Sequence, residues 1–261
     1  MKFTGNSASV SLRGGCFTAK PLCVVITCEH GGNSIPKQFS GLFSNSRELL
    51  ESHRGHDPGA LDLARKLSEG LKAPLYFSAI SRLLIDLNRS PHNPKRFSEM
   101  TRRLGTDEKY EIQKLHYNPY RAGVGSALLK YIGKGAQVLH LSVHTFTPVL
   151  HGKVRNADLG FLYDPARKNE TSFCIFWQKV IRRLGPGLLT RRNYPYRGTS
   201  DGFTAYLRDF FPEGSYLGIE LEVNQKFLSG DRKVWLDLQQ LILESLDQTR
   251  NSQEFVLVGK A

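Results

Sequence analysis

The stretch Leu22-Cys23-Val24-Val25-Ile26-Thr27-Cys28-Glu29-His30-Gly31-Gly32-Asn33 is a short apolar, partly β-branched run bounded by Pro21 and a Gly-Gly turn. That pattern predicts a buried strand over 22–28 that ends directly before a carboxylate and an imidazole. Working outward, Leu61, Ala64, Leu67 and Leu71 recur at helical spacing. Asp57 followed by Pro58 is a good start for a helix over 57–72. Pro74 then leads into a second strand at Leu75-Tyr76-Phe77-Ser78, and Leu83-Leu84-Ile85 reads as a third.

Residues 90–105 are rich in Pro, Asn, Arg and Ser and read as an exposed loop or lid. A helix is expected through 107–133, with a break at Asn118-Pro119. Strands are expected at 137–143, 159–163 and 216–223, and helices at 171–184, 202–210 and 231–248. Residues 185–201 read as loop, and 254–258 as a late edge strand. Strands alternating with helices predict an α/β fold, one domain with a mixed, mostly parallel central sheet flanked by helices. The domain is expected over 21–261, behind a flexible N-terminus at 1–20.

Forty per cent of the 261 residues are hydrophobic, enough for a sizeable core. The formal charge of +12 raises nucleic acid as a partner, but the charge is scattered. Arg102-Arg103, Arg182-Arg183 and Arg191-Arg192 are its clusters, and no recognition motif accompanies them. An anionic small molecule fits as well, so specific nucleic acid is not the expected partner. No apolar stretch approaches the ~20 residues of a membrane helix, so no membrane partner is expected either. Cys16, Cys23, Cys28 and Cys174 form no C-x-x-C pair and read as free thiols in a reducing cytoplasm.

Chemistry-bearing residues gather at the ends of the expected strands, where α/β sheets place their sites. His30 and His144 each follow a strand and are the first two candidate metal ligands. The third ligand stays open between Glu29 and Asp57. Glu29 adjoins His30 and serves only if the chain has already turned, because neighbours on an extended chain face opposite ways. At Asp57 a helix-cap reading competes with ligation. Asn33, His53 and His56 are further options. Glu222 is the candidate general base, with Glu220 on the same side of its strand. Apolar Leu217, Ile219, Leu221 and Val223 fill the other side, a pattern that two solvent-facing glutamates on an edge strand would share. Arg82 is a candidate for stabilising an oxyanion, and Asn88-Arg89 for gripping a carboxylate. The bland reading of Asp86-Leu87-Asn88-Arg89 is a turn with a local ion pair. The polar, aromatic stretch 193–202 reads as a loop able to close over a ligand, or as an ordinary turn.

Together these segments resemble the N-formylglutamate amidohydrolase family over most of residues 22–230. The resemblance is carried by Cys28-Glu29-His30-Gly31-Gly32-Asn33-Ser34-Ile35-Pro36 and by His56-Asp57-Pro58-Gly59-Ala60. It continues through Ser81-Arg82-Leu83-Leu84-Ile85-Asp86-Leu87-Asn88-Arg89, its most specific part, to Gly218-Ile219-Glu220-Leu221-Glu222-Val223-Asn224-Gln225. It implies a zinc-carboxypeptidase-like fold and a Zn2+-dependent hydrolase of carbon–nitrogen bonds other than peptide bonds. The implied reaction is N-formyl-L-glutamate plus water giving formate and glutamate, a late step of histidine breakdown. It also implies Asn88 and Arg89 on the substrate carboxylate and Glu222 as base.

Two departures stand out. Carboxypeptidase-like sites use His-x-x-Glu, whereas Asn33 lies three residues after His30. Asn224 stands two residues after the late glutamate, where an arginine is expected in glutamate-specific enzymes; Asn224 is therefore a third candidate for substrate binding. The expected partner is a small anionic N-acyl amino acid. The alternative to an enzyme is a non-catalytic carboxylate-binding protein on the same scaffold.

Overall fold

In a computed structural model the described residues are 22–252. The chain runs β1 (Leu22–Cys28), α1 (Arg47–Glu51), α2 (Ala60–Leu71), β2 (Leu75–Phe77), α3 (Thr106–Ile112), α4 (Asn118–Gly133) and β3 (Gln137–Phe146). A small hairpin follows, β4 (Val149–Leu150) with β5 (Lys153–Val154). Then come β6 (Leu159–Leu162), α5 (Lys168–Leu184), β7 (Thr190–Arg192), α6 (Phe203–Arg208), β8 (Tyr216–Asn224) and α7 (Arg232–Arg250).

Six strands form one sheet in the order β2-β1-β3-β8-β6-β7. β1, β2, β3 and β8 pair in parallel, β6 runs antiparallel to β8, and β7 is parallel to β6. The sheet is thus mixed and mostly parallel, in a single domain. β3 and β8 are buried along their whole lengths, because helices cover both faces.

Strand alternation sorts the two faces. Val24, Ile26, Leu139, Leu141, Val143, Leu217, Ile219, Leu221 and Val223 pack with α2, α5 and α7 in the main core. Val25, Val138 and Tyr216 pack on the opposite face with Val124 and Leu128 of α4 and Phe203 and Leu207 of α6. Toward the carboxyl ends of β3 and β8 this second face turns polar, with Ser142, His144, Glu220 and Glu222. β8 is a central strand, so its two glutamates are buried and the edge-strand reading is excluded.

Three expectations are corrected. Leu83-Leu84-Ile85 is a turn rather than a strand. The Ser81 hydroxyl accepts from Leu83 N–H (3.2 Å), and the Ser81 carbonyl accepts from Leu84 N–H (2.9 Å). The three side chains fill a separate cluster with Phe39, Phe43, Phe97, Ile112 and Tyr117. A continuous apolar run is the same signal in either case. Residues 185–201 are not all loop, since β7 lies among them; two of its three residues are exposed arginines, which carry no apolar pattern. Between α3 and α4 the chain does not break at Pro119 but widens into a π turn over Gln113–Tyr117. Pro119 lacks an N–H and its ring crowds the carbonyl four residues earlier, which a π segment relieves. The expected strand at 254–258 and the N-terminus at 1–20 lie outside the described residues.

Trp177 is the largest fully buried side chain, packed on Phe161 and Phe173, with its indole N–H donated to Ser245 Oγ at 2.8 Å. Trp177→Ala is expected to cost about 3–5 kcal/mol, read as a lower denaturation midpoint in urea. A loss under about 1 kcal/mol would show that α5 is not held by this core.

Candidate active site

β1 and β3 lie side by side, and each delivers one imidazole at or just beyond its carboxyl end. The Nδ1 atoms of His30 and His144 both approach Asp57 Oδ2, at 3.3 and 2.8 Å. The rings lie 5.0 Å apart between centroids. Asp57 is fixed by its own backbone N–H, which donates to the His30 carbonyl at 3.0 Å. Its side chain does not cap α2; Gly59, at a φ of 80°, takes the cap position instead. The cap expected of Asp57 is therefore absent, and its carboxylate is turned inward, where it is buried.

The far nitrogens are anchored too. His30 Nε2 lies 2.7 Å from Asp86 Oδ1. His144 Nε2 lies 2.9 Å from Ser142 Oγ and 3.5 Å from Glu29 Oε2, and Ser142 donates to Glu29 at 2.6 Å. With a metal in place these partners would keep the ring protons on Nε2 and leave both Nδ1 atoms facing one anionic oxygen as ligands. Lone pairs against a carboxylate repel unless a cation or a proton sits between them. Tetrahedral zinc with bonds of about 2.0–2.1 Å puts its ligand atoms roughly 3.3 Å apart. His30, Asp57 and His144 therefore fit a divalent metal in both donor type and spacing, and these three form the potential metal-binding group found among the described residues.

Glu29 is not in that group. Its oxygens are taken by Ser142 and by the Tyr120 hydroxyl at 3.0 Å, so the expected ligation by Glu29 is corrected to a support beneath His144. Glu29 and His30 diverge because they are neighbours at a strand end. His56 is spent on the Leu50 carbonyl, His53 lines the cavity apart from the metal-ligand group, and Asn33 does not line the cavity.

Beside the cluster lies a cavity of about 320 Å3 that His30, Asp57, His144, Arg82, Asn88, Arg89, Glu220 and Glu222 all line. Arg82 donates to Asp57 Oδ1 (3.4 Å) and Asp86 Oδ2 (3.0 Å). Asp86 also accepts from the backbone of Asn88 at 3.0 Å and has Arg89 Nε at 3.6 Å, so it ties the metal-type cluster to the Asn-Arg pair. Asn88 accepts the Phe203 N–H at the start of α6 (2.7 Å), which turns its amide NH2 away from that bond. Asn224 does not line the cavity. Its amide donates to the carbonyls of Arg155 and Ala157, and it caps the turn that follows β8. The expected substrate contact from Asn224 is thus corrected: parity puts it on the right face, but the chain leaving β8 claims its side chain.

Electrostatics separate the carboxyl groups. Burial would raise Asp57, yet His30, His144 and Arg82 hold it well below the usual carboxylate range. Asp86 is likewise held down against burial by Arg82 and His30, and Glu29 against burial by His144 and Ser142. Burial would lower His144, but Asp57 and Glu29 hold it well above the ordinary histidine value in the metal-free protein. Glu222 goes the other way. Burial pushes it up to about 8 against the pull of His144, with Asp57 and Glu220 adding to the rise. Its Oε2 is buried without a hydrogen-bond partner. In β8 it stands opposite His144 on one side and Gly160 on the other. A Cβ at Gly160 would strike the Tyr194 carbonyl, so glycine there lets the 193–201 loop close onto β6.

A family model for N-formylglutamate amidohydrolase matches residues 22–229. The chain belongs to the N-formylglutamate amidohydrolase family. Among solved structures, the gene product Atu2144 from Agrobacterium tumefaciens superposes with a TM-score of 0.72 at 28% identity, covering 88% of this chain and 92% of that one. N-formylglutamate amidohydrolase from Ralstonia eutropha JMP134 superposes with a TM-score of 0.66 at 16% identity, covering 92% and 95%, and shares the fold. No curated protein matches the sequence. Sequence reasoning missed Ser142 and Tyr120 as supports, and it read Asp86 only as the acid of a local ion pair, which it forms with Arg89 while also holding His30. Only Ser142 left a usable signal, two residues before His144 and so on its face.

The Glu222 shift has a stability consequence. A carboxyl group with a folded-state pKa of about 8 and an unfolded value near 4.5 destabilises the fold as pH rises from 4.5 through 8. Metal-free Glu222→Gln is therefore expected to match the parent near pH 4.5 and to exceed it by on the order of 5 kcal/mol above pH 8. Parallel melting-temperature curves for the two proteins across that range would disprove the shift.

Proposed function

We propose that this chain hydrolyses the amide bond of a small anionic N-acyl amino acid such as N-formylglutamate, using a divalent metal, zinc by preference, held by His30, Asp57 and His144. The observation that carries this reading is the pair of Nδ1 atoms converging on Asp57 Oδ2, with the Glu222 carboxyl lining the same cavity. When bound, the metal supplies Lewis acidity, which acidifies water and polarises a carbonyl.

The remaining work falls to this chain's residues. Glu222 takes the proton of the attacking water on its carboxyl group, which lines the cavity, and hands it to the leaving nitrogen. Its elevated pKa favours that return, since a carboxyl group of ordinary acidity is a weak proton donor near neutral pH. Arg82, held by two carboxylates, presents a fixed guanidinium to the oxyanion that develops at the acyl carbon. Asn88 and Arg89 grip the substrate carboxylate, Asn88 through its NH2 and Arg89 through the guanidinium edge not given to Asp201. The 193–201 loop lines the cavity with Tyr196 and Arg197. Among the described residues the three cysteines are free and no helix is long and apolar enough to cross a membrane. A reducing cytoplasm, and a place in histidine breakdown, suit this reading.

Metal analysis and turnover test it together. The purified chain is expected to hold about one zinc per molecule and to release formate from N-formylglutamate. Glu222→Gln is expected to keep the metal and lose about 10³-fold in kcat, whereas Asp57→Ala loses the metal itself. Near-normal turnover by Glu222→Gln would remove it as base. A folded protein that binds N-formylglutamate with zinc present but never cleaves it would favour a carboxylate-binding protein on this scaffold.

A further inference from the structure

Behind the cavity lies an arginine that the proposed reaction does not use. Arg121 of α4 is buried and does not line the cavity. Its Nη1 donates to the main-chain carbonyls of Leu87 (3.0 Å) and Arg89 (3.3 Å), the residues on either side of Asn88. Its guanidinium carbon lies 4.1 Å from the centre of the Phe203 ring, 4.3 Å from that of Tyr206 and 5.1 Å from that of Tyr117. Among the described residues it makes no ion pair with a carboxylate, and its Nη2 is buried without a hydrogen-bond partner. A buried cation held only by rings and carbonyls, with one nitrogen unsatisfied, is unfavourable. Packing alone does not call for it, because Val124 and Leu128 already seat α4 on the sheet.

The contacts around Arg121 close into one unit with Asn88. The Phe203 N–H donates to Asn88 Oδ1 at 2.7 Å, and the ring of that same Phe203 covers Arg121. The Tyr117 hydroxyl donates to the Arg89 carbonyl at 2.7 Å, beside Arg121 Nη1. Tyr117 closes the π turn and Arg121 follows one helical turn later, so both stand on one side of the helix. π turns are frequent at functional sites, and this one aims two donors at a single carbonyl. The Tyr120 hydroxyl, on the same turn of α4, donates to Glu29 at 3.0 Å. The start of α4 thereby sets the Asn88-Arg89 segment against the strand end that carries His30.

We propose that Arg121 is a positioning residue for Asn88 and Arg89. It fixes the main chain on both sides of Asn88, so that the Asn88 amide NH2 and the Arg89 guanidinium meet an anionic ligand together. This rests on the reading above in which that pair grips a carboxylate. The contacts of Arg121 reach neither the His30-Asp57-His144 group nor Glu222, so its loss weakens binding far more than chemistry.

The test uses the full zinc-loaded chain, with L-glutamate as a ligand that has no acyl group to lose and N-formylglutamate as substrate. Calorimetry is expected to show the glutamate Kd raised about 10-fold or more in Arg121→Met, with zinc content unchanged. KM for N-formylglutamate rises in step while kcat stays within about threefold of the parent, the reverse of the split expected of Glu222→Gln. Arg121→Lys keeps the cation and one donor, and is expected to recover part of the affinity. If Arg121→Met does not fold, Arg121→Lys and Tyr117→Phe are read in its place, each with a Kd rise of about threefold expected. A folded Arg121→Met with parent-like Kd and KM overturns the role, even where its melting temperature falls. So does a parent-like Kd in both milder variants, or a loss in kcat with KM unchanged. A parent that binds no glutamate overturns the carboxylate grip itself, and the role of Arg121 with it. Glutamate bound by the parent and weakened in the variants, with no formate released from N-formylglutamate, sinks the hydrolase reading alone.

Discussion

Two imidazoles and one carboxylate oxygen meet inside the protein with little more than the cavity to relieve them. Asp57, His30 and His144 are all buried, and Asp57 touches Arg82 besides. Assembling such charges away from water is unfavourable unless each remaining lone pair and proton has a partner. The fold provides those partners by register. β1 and β3 are parallel neighbours with Thr27 opposite Ser142, so Ser142 sits over Glu29 and beneath His144. A slip of one residue in β3 would send both Ser142 and His144 to the main-core face. Strand pairing and site assembly are therefore one event, and the cluster has no independent existence.

A second set of contacts stiffens the Asn-Arg side. Arg121 of α4 donates to the carbonyls of Leu87 (3.0 Å) and Arg89 (3.3 Å), bracketing Asn88. Its guanidinium lies over the rings of Phe203 (4.1 Å) and Tyr206 (4.3 Å) rather than against a carboxylate. Burial lowers its pKa in consequence, although the group stays a cation. Behind α6, Arg208 joins Glu170 of α5 and donates to the carbonyls of Gly198 and Gly218. That single side chain thereby links the cavity loop to the Glu222 strand. Both arginines act on main chain, and main chain is what sets where Asn88, Arg89 and Arg197 begin.

How much of this could be read from residues alone follows from the range of each constraint. β1, β3, β8 and the long helices announce themselves because burial imposes a period that a local window contains. The pairing of His30 with His144 is legible only as two strand ends of like chemistry, since residues 114 apart carry no local sign of contact. Asp57 was ambiguous because Asp-Pro starts helices whether or not its carboxylate is needed elsewhere, and here Gly59 relieves it of the cap. Leu83-Leu84-Ile85 misleads because apolar sequence reports burial, not extension. Asn224 misleads in the opposite sense: parity places it correctly on the face of Glu220 and Glu222, and hydrogen bonding to the chain beyond the strand then removes it from the cavity.

Glu220 and Glu222 show how far environment outranks residue type. They share a strand, a face and a cavity. Glu220 reaches toward Gly202, where the absence of a Cβ admits its Oε1, and there it accepts the Thr204 hydroxyl at 2.8 Å. Glu222 reaches the space between His144 and Gly160, where no donor meets its Oε2. A buried carboxyl oxygen without a partner costs on the order of 1–3 kcal/mol, and folded proteins retain such groups mainly where activity compensates. Moving Thr204 would free Glu220, whereas Glu222 Oε2 has no donor to lose. The strand thus holds one carboxylate tied into the structure and one left unpaired beside the cavity.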